Sequence, residues 1–97
     1  MLFDLGNIVG TPAALTRLER LGITPSSLIT RHVTGDWGDL TAEDKAANDR
    51  ALEDGSRIFS SYNINKHDED DKVWIITEAV NDNDERFVTT VLLPSDY

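Results

Sequence analysis

Ninety-seven residues suffice for one domain, residues 1–97, with one modest core, and leave no room for a catalytic domain with its own lid. Eighteen acidic against nine basic side chains give a formal net charge of -9, which opposes the neutralisation of phosphates and sets the expectation of no direct contact with DNA or RNA. The chain has no cysteine, which excludes disulfides, thiolate metal sites and Cys nucleophiles. No apolar run approaches the ~18 residues of a membrane span. Met1 to Val9 carries Asp4 and no basic start, so the expected setting is cytoplasmic, without signal or membrane contact.

Met1 to Val9 is apolar but broken by Gly6 and Asn7, which reads as an extended lead-in or a short edge strand. Thr11-Pro12 opens a first helix, Thr as N-cap and Pro at the first helical position, and Gly22 ends it. Ala14, Leu18 and Leu21, with Leu15 beside them, give it one apolar face. The same punctuation, Thr24-Pro25 and then Gly35, predicts a second helix over Pro25 to Thr34 with Leu28, Ile29, His32 and Val33 as its inner stripe. Thr41 caps a third helix running to Glu53 or Asp54, with a thin stripe of Ala46, Ala47, Ala51 and Leu52, and Gly55 closes it.

Three β-rich stretches follow, Arg57 to Ile64, Lys72 to Glu78 and Phe87 to Leu93, joined by polar loops short enough for hairpins. Lys72-Val-Trp-Ile-Ile-Thr-Glu78 has the composition of a strand covered on both faces and is placed at the centre. The expected fold is therefore α+β, three N-terminal helices packed on one face of a three-stranded antiparallel β-meander. Leu15, Leu18, Leu28, Ile29, Trp74, Ile76 and Leu92 are expected in one core.

Candidate chemistry is sparse. His32 with Asp36 and Asp39 has the residue types of a proton-transfer or metal site, but the spacing matches no known one. A histidine on the inner stripe of a helix is read as packed, bonded to backbone or to a nearby carboxylate. Asp68 to Asp71 carries oxygen ligands without the alternating acids, central glycine and terminal Glu of a calcium loop, and Asn81 to Glu85 comes closer with its alternating Asp but lacks the glycine and the flanking helices. Ser26-Ser27 and Ser60-Ser61 fall in a helix first turn and in mid-strand, with no evident base. No catalytic residue, metal or cofactor is expected. Trp37, between Gly35 and Gly38, is read as a core plug turned inward by the two glycines. Exposed, it would instead be an interface anchor.

The acidic residues are unevenly spread, seven against two bases over Asp36 to Asp54 and eight against three over Lys66 to Arg86. Asp36, Asp39, Glu43, Asp44, Asp49, Glu53 and Asp54 form the first group. Asp68, Glu69, Asp70 and Asp71, with Asp82, Asp84 and Glu85, occupy the two hairpin loops, expected at one end of the sheet. Such a surface either keeps a small protein soluble or imitates spaced phosphates and occupies a basic nucleic-acid channel.

Four stretches carry a resemblance. They are Leu5-Gly6-x-Ile8-Val9-x-Thr11-Pro12-x-Ala14-Leu15, Arg31-His32-x-x-Gly35-Asp36-Trp37-Gly38, Trp74-Ile75-Ile76-Thr77-Glu78-Ala79, and Thr89-Thr90-x-Leu92-Leu93-Pro94-x-x-Tyr97. Together they resemble a family of small plasmid-related proteins of bacterial plasmids, integrated elements and prophages, which has no established activity. The chain departs from it in longer acidic loops at Lys66 to Asp71 and Asn81 to Glu85. Genes of this size on mobile elements often act against host defence. The resemblance therefore implies an acidic, non-enzymatic inhibitor of a defence nucleoprotein complex, of anti-CRISPR or antirestriction type, whose partner is a basic nucleic-acid-binding protein. The alternative is a small interaction module for mobile-element maintenance, using Trp37 and an apolar patch.

Overall fold

The computed structural model describes all 97 residues. Strand β1 (Asn7–Gly10) precedes helices α1 (Pro12–Leu21), α2 (Pro25–Val33) and α3 (Ala42–Asp54). Strands β2 (Ile58–Asn63), β3 (Lys72–Thr77) and β4 (Val88–Leu92) follow, with a 3₁₀ turn at Pro94–Asp96. The Thr caps act as expected at two helices, Thr11 accepting from the Ala14 N–H and Thr41 from that of Asp44. Gly22 and Gly55 end α1 and α3 in left-handed conformation. Thr24 begins α2 without a side-chain cap bond, and Thr34 ends it. No helix is long and apolar enough to cross a membrane.

The sheet corrects the expected three-stranded antiparallel meander. It has four strands in the order β1-β4-β3-β2 and is mixed, because β1 pairs parallel with β4. The lead-in forms the short edge strand that its sequence left open, but it is too short for periodicity to show that it joins this sheet or runs parallel to its neighbour. What recruits it is the outer edge of β4, whose carbonyls accept from Asn7 N–H at Phe87 and from Thr11 N–H at Val91. β3 does lie inside the sheet, antiparallel to both β2 and β4.

Register sorts the side chains. Ile58, Ser60, Tyr62, Val73, Ile75, Thr77, Thr89 and Val91 share the helix-facing side and are all buried. Ala14, Leu18 and Leu28 pack there against Tyr62, Val73, Ile75 and Val91, with Ile23 tucked beneath. A second cluster joins Trp37, Ala51 and Ile58. The single expected core is thereby corrected, since Ile76, Leu92 and Trp74 lie on the opposite face. Ile76 and Leu92 are buried there, and Trp74 is half-buried between Phe59 and Tyr97. Leu15 is not a core residue but 41% exposed, because Ala14 and Leu18 take the inward positions and turn it towards β1.

Candidate partner-binding surface

The outer edge of β2 is closed by three devices. The Asn48 amide, on the inner side of α3, donates to the Phe59 carbonyl and accepts the Phe59 N–H at 2.6 and 3.0 Å. One step along, Ser61 N–H donates to Trp37 O and Asp39 N–H to Ser61 O. Asp39 Oδ2 then accepts the Asn63 N–H at 2.7 Å. Gly38 must approach the strand closely, since a Cβ on it would stand 2.1 Å from Ser61 O, and its φ of 76° suits glycine. The Gly-Asp-Trp-Gly turn is thus an edge cap, and α3 lies along the same edge.

This placement sets where the carboxylates go. Asp39 meets Glu69, Asp70, Asn63 and Lys72 around a depression of about 400 Å³ at the β2–β3 end. Asp4, Glu53, Asp54 and Asp84 line another of about 270 Å³ at the β3–β4 end. The two loops therefore leave from opposite ends of the sheet, not from one as expected, because consecutive hairpins of a meander must alternate. α3 runs between those ends and carries Glu43, Asp44, Asp49, Glu53 and Asp54, all exposed, with Lys45 and Arg50 among them. At ~1.5 Å rise and ~100° turn per residue, Asp44, Asp49 and Asp54 step ~7–8 Å along the axis and ~140° around it, so the carboxylates wind about the exposed side of the helix.

Of the fourteen nominated carboxylates, only Asp36 and Asp71 form ion pairs, with Arg31 and Arg17. Those hydrogen-bonded arginines hold both carboxyls below the usual range. Asp54 is also lowered, by the Ser56 side chain and N–H. Asp49 accepts from Trp37 Nε1 at 3.3 Å. Asp68 Oδ1 accepts the Asp70 N–H within its own loop, and Asn81 Oδ1 accepts from Asn83 and Glu85 in the other, where Asp82 is exposed. No group of His, Asp and Glu has the arrangement of a metal site.

Trp37 is buried, its ring near Phe3 and His32, so it plugs the core and does not serve as an exposed anchor. His32 is also buried, but its partners are hydroxyls on the sheet and not backbone or carboxylate. Nδ1 lies 2.6 Å from Ser60 Oγ and Nε2 lies 2.9 Å from Thr77 Oγ1. Thr89 Oγ1 donates its one proton to Leu5 O, so Thr77 donates to Thr89 at 2.7 Å, and His32 Nε2 must be the donor to Thr77. Ser60 then donates to Nδ1. This chain fixes a neutral Nε2–H tautomer, and burial pushes the His32 pKa down to about 4. The Ser60–His32 pair has the spacing of nucleophile and base, yet neither residue lines any surface depression. Substrate has no path to it in this conformation.

Three features escaped the sequence reading. Asn48 is buried among charged residues of a weak helix and reads as surface. Arg86 ends an acidic loop, yet its guanidinium is buried and donates to the carbonyls of Ser56, Glu78 and Ala51, with desolvation lowering its pKa. The third is an aromatic groove of about 270 Å³ on the open sheet face, lined by Arg57, Phe59, Trp74, Ile76 and Tyr97. A final alternation of apolar residues in β2 and β3 was its only signal. No family model, curated protein or solved structure matches this chain.

Proposed function

We propose that the chain is an acidic, non-enzymatic inhibitor that occupies the basic nucleic-acid-binding surface of a protein, with the α3 edge standing in for a phosphate track. The observation that carries this reading is the run of carboxylates without ion-pair partners from Asp39 and Glu69, along Glu43, Asp44 and Glu53, to Asp54 and Asp84. Asp39 and Asp54 also accept from the Asn63 and Ser56 N–H groups, while Glu43, Asp44, Glu53, Glu69 and Asp84 are left to solvent, where their field can steer a basic partner. The resemblance to mobile-element proteins directs the proposal to host defence complexes of restriction or CRISPR type, and to the cytoplasm.

Capture from a bacterial lysate on the immobilised chain tests it. Captured protein should be a nucleic-acid binder, should elute as salt is raised, and should be displaced by duplex DNA or RNA. Capture that resists both salt and nucleic acid and is lost with Trp74→Ala would favour the second reading, an interaction module docking through the groove of Phe59, Trp74 and Tyr97.

A further inference from the structure

The two edges of the sheet are treated differently. The β2 edge is closed by Asn48, Trp37 and Asp39, whereas nothing covers the outer side of β1. Asn7 and Thr11 donate inward to β4, so the alternate residues Ile8 and Gly10 direct their backbone N–H and C=O groups outward. Exposed edges of this kind usually carry a charge or proline that blocks pairing. Here Leu5 to Thr16 is a run of twelve residues without a charged or histidine side chain, in a chain that is 28% charged, and Pro12 stands beyond the strand. Four of the eight exposed large hydrophobic residues gather at this edge: Ile8 (52%), Val9 (47%), Leu15 (41%) and Phe87 (64%).

We infer that β1 pairs antiparallel with β1 of a second copy, joining two four-stranded sheets into one of eight. The register follows from which groups face outward. Among the antiparallel registers that set outward residues against each other, the one that uses all four lets Ile8 exchange both backbone hydrogen bonds with Gly10 of the other copy, and Gly10 with its Ile8, which places Val9 opposite Val9 on the two-fold axis. That register is self-complementary in shape, because the exposed Ile8 side chain falls beside a residue with none. In its own chain Gly10 lies under Leu15, whose Cδ2 is 2.7 Å from where a Cβ would stand, so a side chain at this position would have to push the Leu15 methyl aside. Two copies at -9 can approach here because Leu5 to Thr16 carries no charge and the Glu43 to Asp49 part of α3 lies along the β2 edge, while Asp4, Glu53, Asp54 and Asp84 sit at one end of the sheet. The dimer leaves both acidic edges at its outer ends, and it is independent of what they bind.

The full chain alone tests this. Light scattering should give twice 10.8 kDa at high concentration, falling towards 10.8 kDa on dilution. Ile8→Lys should give the smaller mass at every concentration with an unchanged circular dichroism spectrum, both side chains reaching water from this position. Opposed residues of a pair without mutual hydrogen bonds have Cα atoms ~4.5 Å apart, within the range a disulfide bridges. In this cysteine-free chain Val9→Cys should therefore oxidise to a disulfide-linked dimer far faster than the exposed control Thr16→Cys. A monomeric mass at all concentrations, or equal oxidation of the two Cys variants, overturns the inference.

Discussion

Asn48 and Phe59 are joined by two hydrogen bonds, the side-chain amide of one pairing with both backbone groups of the other, as a neighbouring strand would. This one residue fastens α3 to the sheet edge and so sets the line along which the acidic side chains of α3 are displayed. Asn48→Ala would leave the Phe59 N–H and C=O without partners, at a cost of ~1–3 kcal/mol. Urea unfolding should show a lowered midpoint, and Asn48→Asp should recover only the half of the pair that needs an acceptor. An unchanged midpoint for Asn48→Ala would detach α3 from this role.

The His32 chain has a pH signature. Its folded pKa, about 4, lies below the unfolded value of 6.5, so the unfolded state binds the proton first. Stability is then full above pH ~6.5 and falls as pH drops towards 4, by up to ~3 kcal/mol for a shift of this size. Asp36, Asp54, Asp71 and Asp96 are held below their usual range, so their contribution is lost only further down in pH. Denaturant melts from pH 7 to 4.5 should slope for the wild type and flatten for His32→Asn, which is less stable at pH 7. Equal slopes would contradict the neutral, buried tautomer.

Much of the fold is legible in the sequence because punctuation is local: three Thr N-cap positions, two of them followed by Pro, and a glycine at or just past each end place all three helices within a residue or two. Stretches rich in β-branched or aromatic residues place β2, β3 and β4 in the same way. What is not legible is pairing at a distance. Asn7–Gly10 becomes a strand only because β4 lies beside it, more than seventy residues later. The Ser60–His32–Thr77–Thr89 chain likewise joins α2 to three strands, and Leu15 is exposed because Gly10 offers it the surface of β1. The acidic residues could be counted but not arranged, since the meander sends the two loops apart and α3 reconnects them.

Core substitutions should separate the two faces from the edge. Ile75→Ala and Ile76→Ala, both buried, should each cost ~2–5 kcal/mol through lost burial and a residual cavity. Leu15→Ala, in contrast, should change stability by much less, ~0.5 kcal/mol. Calorimetry of the three variants decides it. A cost at Leu15 equal to that at Ile75 would return Leu15 to the core.

Trp37→Ala should destabilise by ~3–5 kcal/mol, because the ring fills the space between Phe3, His32 and Ala51. Binding should weaken only as far as the folded fraction falls. Full stability with lost binding would make Trp37 a contact residue.

Exposed carboxylates along α3 and its neighbouring loop are proposed to carry partner binding. Glu43, Glu53 and Glu69 are suited to test it, since each is exposed and none forms an ion pair. Asp49 is left in place because it accepts from Trp37 Nε1. The measurement is the association rate of the captured partner with the wild type and with the Glu43→Lys, Glu53→Lys, Glu69→Lys triple variant, at rising salt, beside the urea midpoint of each. The expected result is a rate at least tenfold lower for the variant at low salt. The two should converge as ions screen charges over ~8 Å near physiological strength, with midpoints nearly equal. An association rate indifferent to both the reversal and salt would contradict the acidic-mimic account.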